Sequence, residues 1–275
     1  MADKSTSRAV RADIQQAFGL PFIFSVIGIV FCFCCDNWTS LENSFGNPLI
    51  YSENSIVCVQ YFFFNAFSFG GVFIGYFSCM LSAIPFSASY SVEQHGGITA
   101  YKVARCGKHQ YALSKMLVSA LSGGAAFSLG SAIFITALST YLPLVTSQKL
   151  EESVWIPYYN ALVAGNGVLY FVIMLYITFL SGALWSCLGL CISAYFPSPY
   201  VAICAPLIIR FLLVQVGRML KLSDNLRLDR IMTARGTIYS DVVTLIVLTV
   251  VVVLLIGLCY NLFLKRMIRR LENAE

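Results

Sequence analysis

The stretch that decides the fold is DVVTLIVLTVVVVLLIGLCYNLFLKRMIRR, residues 241–270. Residues 242–264 carry no charge, and about 18 apolar residues suffice for a helix to cross a hydrocarbon core. Ser240 or Asp241 stands where a cap would start that helix, its oxygen accepting from a free backbone N–H. Lys265, Arg266, Arg269 and Arg270 follow at the other end. Cations flanking a span mark the cytoplasmic side.

The rest of the chain follows suit. It is 58% hydrophobic and only 11% charged over 275 residues, whereas soluble domains run near ~25% charged. Backbone polar groups inside lipid are satisfied only in helices or closed barrels, and the alternating pattern of a barrel is absent. The sequence predicts an all-α polytopic membrane protein, a single transmembrane domain over 1–275. Six spans are expected, over 20–35, 56–84, 111–142, 161–194, 200–216 and 242–264. Pro85 and Pro143 end the second and third, and Gly165-Asn166-Gly167 is a break point in the fourth. The first run lacks a small-residue cleavage site, so the N-terminus is expected to stay attached.

Lys4, Arg8, Arg11, Lys102, Arg105, Lys108, Lys115 and the four C-terminal cations fall on one side of such a bundle. They set both termini in the cytoplasm, for a multi-pass protein of the cell membrane. Residues 1–18 read as an interfacial entry helix, with Val10, Ile14 and Phe18 among basic residues. Residues 85–110 form a cytoplasmic segment, and 218–240 an outer one despite its arginines. In the outer segment Ser223 or Asp224 would cap a short helix carrying Leu226, Ile231 and Met232, lying on the membrane surface.

Motifs for soluble chemistry are missing. Gly107-Lys108 is followed by His109 and lacks the earlier glycine of a P-loop, so ATP is not bound by that device. No zinc helix or nucleophile elbow occurs. His95 and His109, the only histidines, are read as solvated. Most of the ten cysteines lie in apolar runs and act as small hydrophobes. Cys187 and Cys191 lack the His or carboxylate of a metal site, while a disulfide between Cys35 and Cys58 stays open. No catalytic, cofactor-binding or metal residue and no nucleic-acid partner is expected.

Within the spans, Gly71 and Gly75, Gly123 and Gly124, and Gly182 and Gly189 suit close helix approach. Arg210 is the anomaly: it lies about 15 Å into the fifth span at 1.5 Å per residue. Such a charge either snorkels or finds a carbonyl, a lipid phosphate, water, a partner chain or an anionic ligand. Tyr61, Phe64, Phe67 and Tyr76 make an aromatic stripe in the second span, and Asn65 adds a polar group.

The segment YSVEQHGGITAYKVARCGKHQYALSKML, residues 90–117, is the other polar island. Gly96 and Gly97 break the chain, residues 98–106 suit a short helix, and Gly107 stops it. Ile98, Tyr101 and Arg105 are spaced three and four apart, on one side of that helix. Lys115 is expected to snorkel. Glu93-x-x-x-Gly97, then Tyr111 and Leu113-Ser114-Lys115 opening a long span, resembles the membrane subunit of type-2 (exporter-class) ABC transporters. So does the order of features: entry helix, six spans, the turn FPSPYVAICAPLII at 196–209, and an outer helical segment.

The resemblance implies a permease without its own ATPase site. It would work with a separate ATP-binding cassette subunit, which holds ATP and Mg, and with a second permease subunit in a homo- or heterodimer within the lipid bilayer. Glu93, Gly97, Ile98, Tyr101, Lys102 and Arg105 would form the ATPase-coupling helix. Arg210, Asn65, Tyr61 and Phe64 would line the path of an amphipathic or hydrophobic cargo such as a peptide, drug or lipid. The alternatives are a non-transporting scaffold or peptide-immunity protein, and a membrane enzyme acting on lipid.

Overall fold

The computed structural model describes residues 2–46, 58–68, 71–145, 158, 166–221, 227–233 and 241–272. Every regular element among them is helical: α1 (Ala2–Ala17), α2 (Leu20–Asp36), α3 (Trp38–Gly46), α4 (Val59–Phe67), a π-helical turn (Phe73–Phe77), α5 (Ser78–Ala83), α6 (Ser89–His95), α7 (Ile98–Cys106), α8 (Lys108–Ser139), α9 (Gly167–Ser193), α10 (Pro199–Met219), α11 (Leu228–Met232) and α12 (Asp241–Glu272).

Among the described residues, five helices are long and apolar enough to cross a membrane, the first running from Val10 through α2. Their starts carry the expected signals. Pro21 and Pro199 stand in the first turns of α2 and α10, where a missing N–H is harmless. Asn166 precedes the first residue of α9, so the glycine-flanked break point marks a helix start. Residues 161–165 of the expected fourth span lie outside the described residues.

The run expected as the second span is divided. α4 ends at Phe67, and a π-turn over Phe73–Phe77 leads into α5. Asp36, the last residue of α2, accepts from the backbone N–H of Phe73 at 3.0 Å and of Ile74 at 2.7 Å. A carboxylate at a helix start satisfies free N–H groups and favours the dipole. The carboxylate also fills the space beside Gly71, where a Cβ would overlap it.

α8 and α9 form the centre. A Cβ on Gly182 would stand 2.5 Å from the Gly123 carbonyl oxygen, and one on Gly124 2.8 Å from Phe179. Ser119 and Ser186 pair their hydroxyls at 2.8 Å across the same seam. Phe33 of α2 stacks on Phe63 and Phe134, joining α4 and α8. Outward, α2 exposes Leu20, Phe24, Ile27 and Phe31, and α12 exposes Ile246, Val250, Val253 and Leu254. Apolar stripes of this length match a hydrocarbon surround.

One further expectation is corrected: Lys115 does not snorkel, being 0% exposed. In the outer segment, Ile231 and Met232 of the short helix are buried in the main core. Its proposed caps, Ser223 and Asp224, lie outside the described residues. The cysteines are free thiols, including Cys35 and Cys58. Cys187, Cys191 and Cys259 pack in one apolar cluster with Tyr90, Met116 and Phe263.

Candidate functional site

The polar island folds into two short helices bracketed by glycines. Gly97 has φ +67° and Gly107 φ +85°, backbone conformations that side chains with a Cβ resist. Between them α7 buries Thr99 and Val103 and exposes the opposite face. Ile98 is 47% and Tyr101 65% exposed. Arg105 stands over the Tyr101 ring with its guanidinium carbon 5.9 Å from the centroid. The helix thus presents a half-apolar, cationic face to its surroundings.

Beneath that face lies a buried charge network. Lys115 donates to Glu93 Oε1 at 2.5 Å and to Asp13 Oδ1 at 3.0 Å. Lys102 reaches the same Glu93 oxygen at 2.7 Å and Asp13 Oδ1 at 3.5 Å. Tyr111 donates its hydroxyl to Glu93 Oε2 at 2.6 Å. The Lys115 ammonium also sits 4.7 Å from the Phe86 ring centroid, a face that attracts cations. Two carboxylates meet two ammonium groups, and the set ties α1, α6, α7 and α8 together. Buried charges persist only when paired and hydrogen-bonded in this way.

The electrostatics follow. Burial raises the Glu93 carboxyl pKa, but Lys115, Lys102 and the Tyr111 hydroxyl outweigh it, and the net shift is downward. Burial disfavours the Lys102 ammonium, yet the hydrogen bond and charge of Glu93 and the charge of Asp13 raise its pKa overall.

Sequence reasoning placed Glu93, Gly97, Ile98, Tyr101, Lys102 and Arg105 in one segment. The structure divides them: Ile98, Tyr101 and Arg105 point outward, while Glu93 and Lys102 face the network. Asp13 was missed. Asp13 and Ala17, one turn apart, are both buried, whereas Ile14 and Phe18 of the expected apolar face are exposed. His95 and His109 are exposed, bound to the Ser91 carbonyl and the Tyr260 hydroxyl. Arg270, in the last turns of α12, closes this end by donating to Gln94 Oε1 at 2.7 Å and to the Tyr195 carbonyl at 2.8 Å.

A second site lies toward the other end of the bundle. A cavity of about 200 Å³ is lined by Phe67, Ser68, Gly71, Gly75 and Tyr76 from the divided span, by Arg210, Val214 and Arg218 of α10, and by Arg227, Asp229, Arg230 and Thr233 at α11. Arg210 is 7% exposed and does not snorkel. Its Nη1 reaches the Cys79 thiol at 3.5 Å, and its guanidinium carbon stands 5.9 Å from the Trp185 ring centroid. Arg227 pairs with Asp229 at 2.8 Å. Of the aromatic stripe, Phe67 and Tyr76 line the cavity beside Arg210; the path candidates Tyr61, Phe64 and Asn65 do not line it.

No protein-family model, curated protein or solved structure matches this chain.

Proposed function

We propose that the chain is the permease subunit of an ATP-driven transporter of the type-2 ABC exporter class. The observation that carries this reading is α7: a short amphipathic helix whose exposed Ile98, Tyr101 and Arg105 offer a docking face, and whose back is fastened to α8 by the Glu93–Lys102–Lys115 network. A face on a rigid mount suits a partner that performs work. On this reading the partner is a separate ATP-binding cassette subunit, since the chain's own Gly107-Lys108-His109 is no P-loop.

In the full assembly, the divided run over 56–84 makes the sixth crossing, both termini are cytoplasmic, and a second permease subunit completes the pathway in the cell membrane. ATP-driven closure of the partner shifts α7 and, through Glu93 and Lys115, tilts α8. The cargo is amphipathic or hydrophobic, with Arg210, Tyr61, Phe64 and Asn65 the path candidates. The supporting points are the motif resemblance and the basic character of the α1–α7 end.

The test is purification of the intact chain in mild detergent from its native cell. A P-loop ATPase is expected to come down with it, and Y101A or I98D to release that subunit while the melting temperature holds. Labelling of Tyr101 or Arg105 from outside the cell would overturn the proposal. An ATPase-free preparation would favour the scaffold or immunity reading.

A further inference from the structure

The cavity around Arg210 stands apart from α7, and its character is independent of any ATPase. Among the described residues, Arg210, Arg218, Arg227 and Arg230 line it together with Asp229. Arg210 meets no carboxylate among the described residues; its nearest polar partner is a neutral thiol, a weak acceptor. A guanidinium without a counter-charge is unfavourable inside a bilayer and marks a place that needs an anionic partner. The Ser68 hydroxyl, in a residue 1% exposed, also lines the cavity and has no hydrogen-bond partner among the described residues.

The backbone points the same way. In the divided run α4 ends at Phe67 and the π-turn spans Phe73–Phe77, with Ser68 and Gly71 on the cavity wall. Irregular backbone at membrane depth is tolerated where it is buried in protein or lines a polar cavity, and broken helices there recur at ligand sites. π-turns cluster at functional sites as well. Gly75, within the π-turn, lines the cavity, and a Cβ added there would meet nothing within 4 Å.

We infer that this cavity binds a phosphate group, held by Arg210 with Arg218 and the Ser68 hydroxyl. Guanidinium forks match phosphate oxygens in pairs, and Arg210 and Arg218 supply two of them. The volume suffices, since about 150 Å³ holds a benzene in another protein. Arg218 is exposed at the wall, about 12 Å from Arg210 along α10 at 1.5 Å per residue. A phosphate reaches the cavity either as a lipid headgroup or as a free anion, and the experiment separates these sources.

Trp185 reports on the site because its ring faces Arg210. With Trp38 and Trp155 changed to Phe, the full chain in neutral detergent is titrated with inorganic phosphate, phosphatidylglycerol, diacylglycerol and acetate. A saturable change in emission is expected with one or both phosphate ligands, and none with diacylglycerol or acetate. Phosphatidylglycerol alone identifies a headgroup site; a response to inorganic phosphate identifies a free-anion site. Arg210→Gln weakens the binding by about tenfold or more, since hydrogen bonds to charged groups are the strong ones. Gly75→Leu, which fills the cavity without removing a charge, abolishes the response with the fold intact by melting temperature. It keeps the test decisive if Arg210→Gln fails to fold. Equal affinity in Gly75→Leu, a response to acetate matching that to phosphate, or no response to either phosphate ligand overturns the inference.

Discussion

Lys115 and Asp13 are 102 positions apart, yet the ammonium nitrogen of one lies 3.0 Å from a carboxylate oxygen of the other. The same ammonium binds Glu93, so one buried cation satisfies an acid from α1 and an acid from α6. Removing it strands both. Lys115→Met is expected to destabilise the fold by about 3–5 kcal/mol, the range for breaking a buried pair. Lys115→Met with Asp13→Asn and Glu93→Gln together should recover much of that loss. Thermal melting of the detergent-solubilised chain measures both, and equal melting of wild type and Lys115→Met would contradict the network's weight.

The network makes stability depend on pH at both extremes, with opposite signs. Glu93 titrates below its ordinary 4.5 in the folded chain. Its contribution is therefore complete above that value and is lost as pH falls through the depressed folded value. Lys102 titrates above its ordinary 10.5, so its contribution is complete below 10.5 and is lost as pH rises through the elevated folded value. Melting temperature against pH should show a plateau between these limbs, and Glu93→Gln should flatten the acid limb.

The two glycines that bracket α7 differ in kind. Gly97 occupies the left-handed region, with φ 67° and ψ 6°, whereas Gly107 combines φ 85° with ψ 148°. Asparagine tolerates the first conformation and the second is nearly closed to side chains. Gly97→Asn should melt close to wild type, and Gly97→Ala should lose about 1–2 kcal/mol. Gly107→Ala and Gly107→Asn should both lose about 1–3 kcal/mol. Chemical denaturation of the four variants gives the ranking.

Asp36 is the cap of the resumed second run. Asp36→Ala leaves the Phe73 and Ile74 N–H groups without their acceptors. The expected loss is about 1–2 kcal/mol. Hydrogen exchange should quicken at Phe73 and Ile74 before any change appears in α8. Uniform exchange across both regions would mean that the cap is not local.

The charge-free runs made the membrane helices readable, because length and composition alone decide whether a helix suits lipid. The glycines around α7 were readable for the same local reason. The division of the second run was not, although Gly71 and Gly75 were in view. Their spacing reads as close packing, and only the carboxylate of Asp36 beside Gly71 shows that a helix ends and restarts there. Lys115 was misjudged because a cation near a helix start ordinarily reaches for water. Its two acids come from α1 and α6, and pairings of such long range leave no periodic trace in a sequence. Arg210 was visible as an anomaly, but the cavity around it draws on α4, α10 and α11 and existed only after folding.

The shared oxygen of Glu93, which receives both Lys102 and Lys115, acts as a rivet through three helices at once. Pulling α7 aside must either carry α6 and α8 along or part opposite charges in a place with little water to receive them. This corner of the molecule should accordingly travel as a unit, with any bending taken up by the stretches beyond it.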